Sequence, residues 1–501
     1  MMVRQKGHWL VAGAAVLAVL LFVAAAALPG RAGFPLDDSW IHQTYARNLA
    51  LTGRWAYVPG VSSAGSTAPL WTLLLAVGHL LRLPPLAWAY GLGGLCLVWL
   101  AWVGMALWRL LWPAYAGRDW LAGLSLVAAW PLVWAAASGM ETLLFVALGL
   151  TLVWQAVARA RPGWLGVLAG LLVLARPEGL LLLLLVGVGL LARPGRLPAL
   201  LWYLLGAGLP LLPYFAFNLA VSGALWPNTF YAKQAEYAAL LVRPLPVRFA
   251  SLLLFSLGGA EVGWRGMTGA HLLLLPGLIP AGWLALRQDW HDRRLQHALL
   301  LLWAGGHVLL YAWRLPVTYQ HGRYLWAALP AWILYGLAGW LWLLARLPVR
   351  PRPGRVLRRV AGLVYGLLLA IFFLFGLQAY ATDVAFIENE MVDVARWLNQ
   401  NTPPEALIAA HDIGAIGYFA QRPLLDLAGL ITPELVDRLA DEAALGDYVR
   451  EQGADYLVTA PGWPYETITA RPGVILLYST GYAWTQAQGA NNMAVYGLPG
   501  R

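Results

Sequence analysis

Apolar runs close to 20 residues long recur along most of this 501-residue chain, and that recurrence restricts its fold more than any other feature. A run of that length crosses the roughly 30 Å hydrocarbon core of a bilayer. Lipid offers the backbone no hydrogen-bonding partner, so each run must satisfy its own N–H and C=O groups, as a helix does. A soluble core would account for one or two such runs. Here about eleven read as spans: 9–28, 86–111, 119–137, 141–158, 163–176, 178–193, 198–221, 270–287, 296–313, 324–345 and 356–379. Charged residues make up 12% of the chain, against about 25% in soluble domains. Many of the 28 tryptophans lie near the ends of the runs, where an amphipathic ring sits best.

Charge sets the orientation. Arg4 and Lys6 precede the stretch from Trp9 to Ala27, which is too long for a signal-peptide core and reads as an uncleaved first span. Two further apolar runs, 67–82 and 246–259, are ambiguous. If neither crosses, the short loops on one side collect the basic residues, above all Arg346, Arg350, Arg352, Arg355, Arg358 and Arg359. Short basic loops stay in the cytoplasm. Both ambiguous runs are therefore expected to lie in the outer interface, with the N-terminus cytoplasmic and the C-terminus outside. The net charge of +10 follows from this bias and does not point to nucleic acid.

Composition divides the chain into a membrane module, 1–379, and a soluble extracytoplasmic domain, 380–501, which holds fifteen acidic and six basic residues. Glu388 to Asn401 has helical periodicity; Ala406–Ala410, Tyr456–Thr459 and Val474–Tyr478 read as short buried strands. The expected fold is mainly α, a polytopic bundle with a C-terminal α/β domain. The single cysteine, Cys96, excludes an intrachain disulfide and any cysteine-based metal site.

The residues able to do chemistry fall on the outer side. Asp37 and Asp38 stand just past the first span, at the start of an amphipathic stretch with Trp40, Ile41, Tyr45 and Leu49 on one side. Aspartates there cap a helix, and a carboxylate in that place can also take a proton from an attacking hydroxyl. A polar loop, Ser62 to Ser66, leads into the apolar run at 67. Glu141 lies between two spans and Arg176-Pro177-Glu178 between two others; charges at the hydrocarbon edge are costly unless paired or used. Asn228 and Lys233 follow the 198–221 span, and His321 and Arg323 precede the 324–345 span. Cations so placed anchor lipid headgroups or neutralise a phosphate. His411 to Tyr418 reads as a tight strand-to-helix turn.

In their order these pieces resemble the GT-C glycosyltransferases, in particular bacterial mannosyl- and arabinofuranosyltransferase-like membrane proteins. The resemblance rests on Leu36-Asp37-Asp38, Tyr45-Ala46-Arg47-Asn48-Leu49-Ala50, Pro59-Gly60, Ala68-Pro69-Leu70-Trp71, Ser138-Gly139-Met140-Glu141-Thr142, Arg176-Pro177-Glu178-Gly179, Pro227-Asn228-Thr229-Phe230-Tyr231-Ala232-Lys233, Arg323-Tyr324-Leu325 and the stretch from Asp412 to Leu430. It implies a polyprenyl-phosphate sugar donor and an acceptor hydroxyl on a glycan, lipid or protein. An active-site roof would be made by the first outer loop, with an aspartate near its start as general base. By position Asp37 is favoured, with Asp38 beside it. Lys233, Arg323, His321, Arg47, Glu141, Arg176, Glu178 and Asn228 are the expected donor-binding residues. A single in-line displacement would invert the anomeric centre. From Ser39 to Pro85 there is no other Asp or Glu, a departure from several relatives, so no obligatory metal is expected. Two other classes compete: a transporter or flippase of a lipid-linked precursor, and a non-catalytic membrane scaffold.

Overall fold

A computed structural model describes residues 2–28, 32–192, 195–259, 268–292, 294–347, 351–439 and 441–499. The first long run is one helix, α1 (Met2–Ala27). Two short helices, α2 (Asp38–Thr52) and α3 (Pro69–Leu80), lie in the first long loop, after α1. A long helix, α4 (Pro85–Leu111), follows. The expected span at 119–137 is broken into α5 (Asp119–Val127) and α6 (Trp130–Ala137), set at 60° to each other. Pro131, in the first turn of α6, cannot donate to a preceding carbonyl, so the chain restarts there instead of running through.

Next come α7 (Thr142–Val157), α8 (Pro162–Ala175), α9 (Gly179–Leu191) and α10 (Arg196–Ser222). Helices α8 and α10 touch backbone to backbone: a Cβ on Gly166 would run into the Tyr203 carbonyl. Small residues give this close approach where apolar burial gives no advantage. The chain continues through α11 (Asn228–Glu236), α12 (Leu245–Ser256), α13 (Leu275–Asp292), α14 (Leu299–Arg314), the four-residue turn α15 (Tyr319–Gly322) and α16 (Leu329–Arg346).

Among the described residues, six helices are long and apolar enough to cross a membrane, or seven with the bent pair. The ambiguous runs at 67–82 and 246–259 appear as twelve-residue helices, α3 and α12, each about 18 Å long at 1.5 Å per residue. Arg350 of the basic cluster and the start of the first loop, 29–31, lie outside the described residues.

Composition shifts at 380, but the helix does not stop there. Helix α17 (Pro351–Ile387) passes through a wider turn at Glu388–Val392 into α18 (Asp393–Asn401). Glu390, buried in that turn, accepts from Thr485 Oγ1 (2.5 Å), Asn492 Nδ2 (2.7 Å), the Met493 N–H (2.9 Å) and Thr480. The carboxylate thus ties the helix to the end of the chain. The C-terminal sheet contains β1 (Ile408–Ala410), β2 (Leu424–Asp426), β3 (Tyr456–Thr459), β4 (Ile475–Ser479) and β5 (Ala494–Gly497). Its order is β2-β1-β3-β5-β4. Strand β1 is parallel to β2 and β3, and β5 is antiparallel to β3 and β4. One further helix, α19 (Glu442–Gln452), leads into β3 and packs Leu445, Tyr448 and Val449 with Ala409 and Leu457.

Candidate active site

The loop after α1 is pinned to the turn between α6 and α7. Ser39 Oγ donates to the Ser138 carbonyl (2.7 Å), Trp71 Nε1 donates to the Gly139 carbonyl (2.8 Å), and Phe34 packs on Trp40. These contacts fix where the two adjacent aspartates go, and they go to different places.

Asp37 caps a helix, though not its own. Its two oxygens accept from the Gly414 N–H (2.6 Å) and the Ala415 N–H (2.7 Å), where the chain after β1 turns helical. Burial, with Asp412 close by, raises its pKa against the pull of those two bonds. The same junction holds Arg47, which donates to the Tyr418 carbonyl (2.7 Å) and lies 4.4 Å over the Tyr418 ring. Tyr57 donates to the Ile413 carbonyl (2.5 Å). Arg47 therefore braces the C-terminal region and does not line the cavity described next.

Asp38, one residue on, faces that cavity. It pairs with Arg323 and lies 3.7 Å from Lys233 Nζ. Despite burial, Lys233 and Arg323 hold its pKa well below the usual carboxylate range, and Asp38 in turn keeps Lys233 above its own. Each cation is delivered by local structure. The polar loop expected from Ser62 to Ser66 receives α11: the Asn228 N–H donates to the Ala64 carbonyl (3.0 Å) and Thr229 Oγ1 to the Gly65 carbonyl (2.6 Å). Asn228 is thus a buried anchor for the helix, and Lys233 follows one turn later. Arg323 leaves a reversal in which Gln320, His321 and Gly322 all take left-handed φ (53°, 59° and 69°). At non-glycine residues such as Gln320 and His321 this costs about 1–3 kcal/mol each and is kept where the surroundings demand it. Here they turn Arg323 inward until it is 3% exposed. Its Nε and Nη1 have no hydrogen-bond partner among the described residues. Tyr324 Oη sits 3.2 Å from both Lys233 Nζ and Arg323 Nη2.

A second polar cluster shares the cavity. Arg176 donates to Glu141 (2.6 Å), Glu178 (3.3 Å) and Tyr311 Oη (2.8 Å); Tyr311 also donates to Glu178. His42 Nε2 is 3.1 Å from Glu141. His42 and Tyr311 were not anticipated from sequence, although His42 lies at i+4 from Asp38, one turn along the same face of α2. His321 is elsewhere: it bonds Asp383 (2.8 Å) between Trp130 and Trp134.

The cavity encloses about 400 Å³. Asp38, Lys233, Arg323 and the Arg176 cluster line it, and apolar side chains that include Leu180, Leu181, Leu184, Leu310 and Trp313 complete the wall. Leu184 and Trp313 are exposed on the protein surface, so an apolar path leads outward from the charges. Among the described residues, no three His, Cys, Asp or Glu side chains are grouped as a metal site.

The chain is similar in structure to ArnT from Cupriavidus metallidurans bound to undecaprenyl phosphate. The TM-score is 0.62 with 17% identity, over 97% of each chain. It is also similar to the Archaeoglobus fulgidus oligosaccharyltransferase tethered with an acceptor peptide, with TM-score 0.57 and 14% identity over 90% of this chain and 69% of that one. The same oligosaccharyltransferase in complex with Zn and sulfate gives TM-score 0.59 and 15% identity. A protein-family model described as a domain of unknown function (DUF8728) matches residues 380–496. No curated protein matches the chain in sequence. With its apolar helices and small C-terminal sheet, the chain is an integral membrane protein of the GT-C fold.

Proposed function

We propose that the protein is a membrane glycosyltransferase that moves a sugar from a polyprenyl-phosphate donor to an acceptor hydroxyl on the outer face of the membrane. One observation carries the reading: a carboxylate and two cations, Asp38, Lys233 and Arg323, meet in a cavity that the Arg176 cluster shares and whose remaining lining is mainly apolar, with Leu184 and Trp313 exposed at the surface. The similarity to ArnT bound to undecaprenyl phosphate supports the choice of donor.

The chemistry follows from the arrangement. The polyprenyl tail lies along Leu180, Leu184 and Trp313. The phosphate sits between Lys233 and Arg323, which both line the cavity. Donors aimed in advance at developing charge supply the largest share of many rate enhancements. Asp38, rather than Asp37, is the general base, because both oxygens of Asp37 are already held by backbone N–H groups at the domain junction. The attacking oxygen and leaving phosphate lie on opposite sides of the anomeric carbon, so one displacement inverts it. The Arg176 cluster, with Glu141, Glu178 and His42, faces the same space and meets the donor sugar. Helices α2 and α3 form the roof, the N-terminus is cytoplasmic, and the sheet domain stands outside.

The test is turnover by the purified protein in nanodiscs with a panel of polyprenyl-phosphate sugars and hydroxyl acceptors. Release of polyprenyl phosphate with an inverted anomeric centre in the product, read by proton NMR, is the expected result. No release with any donor, or retention of configuration, sinks the reading and returns weight to a carrier or scaffold.

A further inference from the structure

His321 lies outside the cavity, yet its place in the chain bears on it. It stands two residues before Arg323, in a reversal where Gln320, His321 and Gly322 follow one another at φ 53°, 59° and 69°. In that region the Cβ of an L residue crowds the carbonyl that follows it, so a run of such residues is opposed by local preference. Glycine at 322 avoids the problem, and a Cβ there would also run into the Phe255 ring of α12. Gln320 and His321 keep their Cβ atoms, so contacts from outside must hold the turn. The His321 side chain makes those contacts. A carboxylate only accepts, so His321 Nε2 carries the proton it donates to Asp383 Oδ2 (2.8 Å). Trp134 Nε1 donates to the same oxygen (2.8 Å), and the His321 ring stands edge-on to Trp130 and Trp134. Asp383 is itself fixed: one turn earlier on α17, Tyr380 Oη donates to the Ala137 carbonyl (2.9 Å).

We infer that His321 is a positioning residue for Arg323: its bond to Asp383 holds the left-handed reversal, and the reversal holds the Arg323 guanidinium against Asp38. The inference rests on reading Arg323 as one of the groups that hold the donor phosphate. His321 is not among the residues lining the cavity. It touches neither phosphate nor sugar and acts only through the backbone it fixes. Without its bond, the backbone at 320 and 321 returns to the ordinary negative-φ regions, and Arg323, two residues on, is aimed elsewhere. Lys233 is carried by a different helix, α11, and keeps its place. Loss of the His321 bond therefore removes one of the two cations from the site and leaves the other.

The experiment is equilibrium binding of undecaprenyl phosphate to the full chain in nanodiscs, read by native mass spectrometry. His321→Ala removes the bond and leaves a Cβ at positive φ. It is expected to weaken binding about tenfold or more, as loss of a hydrogen bond to a charged group does. His321→Gly removes the same bond but also the Cβ that opposes the turn, so it is expected to bind within about threefold of wild type. A side chain that served only to pack between two tryptophans would rank the other way, since glycine leaves the larger gap and the looser chain. Arg323→Met is expected to weaken binding at least as much as His321→Ala. Adding His321→Ala to it should change nothing further, because the two act through one group. Wild-type binding by His321→Ala overturns the inference. So does His321→Gly binding no better than His321→Ala, or a double variant in which the two losses multiply. If His321→Ala does not fold, Asp383→Asn, which leaves a weaker acceptor, is expected to weaken binding about threefold alone and not at all beside Arg323→Met; no loss alone, or the same loss in both backgrounds, overturns the inference. If Arg323→Met binds as well as wild type, the phosphate-holding reading has failed and this inference falls with it.

Discussion

Replacing Asp37 by Ala tests whether it is a cap or the base. Its oxygens take the N–H groups of Gly414 and Ala415 at 2.6 and 2.7 Å, where the chain enters the helical turn after β1. Removing an N-cap acceptor costs about 0.5–2 kcal/mol, and each buried N–H left without a partner adds about 1–3 kcal/mol where water cannot reach it. Asp37 itself is only partly buried, so we take about 2–3 kcal/mol for the whole change. That corresponds to local opening made roughly 30 to 150 times more frequent. Arg47 and Tyr57 still hold Tyr418 and Ile413 from the same loop, so the domain loosens and stays attached. Hydrogen exchange of 412–420 in nanodiscs reads this directly: those amides should exchange faster by that factor, while α7 and α8 are unchanged. Turnover should fall without vanishing. Exchange within threefold of wild type, together with complete loss of turnover, would refute the reasoning and make Asp37 the base.

Three other outcomes follow from the same contacts. Arg176→Met leaves Glu141 and Glu178 uncompensated inside the bundle and should cost about 3–5 kcal/mol, seen as a large drop in thermal stability in detergent; adding Glu141→Gln should recover part of it. Because Lys233 and Arg323 supply the positive charge, turnover should persist in EDTA, whereas Lys233→Met should lower kcat by about 10²–10³; loss in EDTA restored by a divalent ion would contradict this. Burial and Asp412 raise the pKa of Asp37 in the folded protein, so the folded state keeps a proton that the unfolded chain releases. The unfolded state then binds fewer protons, and the junction loses stability as pH rises from the ordinary carboxylate range toward the raised value. Hydrogen exchange at pH 5 and pH 8 should show that loss, and Asp412→Asn should shrink it.

The membrane architecture was legible because it is written in residue type and run length. The residues of the cavity were legible because charges at a hydrocarbon edge stand out: Asp38, Glu141, Arg176, Glu178, Lys233 and Arg323 all meet there. What sequence could not say was which way a side chain turns. Asp37 and Asp38 are neighbours, yet one faces Gly414 and the other Arg323. Arg47 and His321 look like phosphate ligands by position, but they are held by Tyr418 and by Asp383. His42 and Tyr311 went unnoticed because a histidine or tyrosine among apolar residues is usually core, and here the partners are 99 and 133 residues away, Glu141 and Glu178. Strands β2 and β5 were missed because three or four residues carry too little alternation to register. The bend between α5 and α6 was signalled by Pro131 but overridden by the apolar run around it.

The central claim is that Asp38 is the base working beside a phosphate clamp. The most direct test is release of polyprenyl phosphate from a sugar-linked donor by wild type, Asp37→Asn and Asp38→Asn, with donor binding measured on the same samples. The account predicts that Asp38→Asn binds donor at least as well as wild type and releases nothing measurable, while Asp37→Asn keeps part of its turnover. Full turnover in Asp38→Asn, or its loss in Asp37→Asn alone, would contradict it.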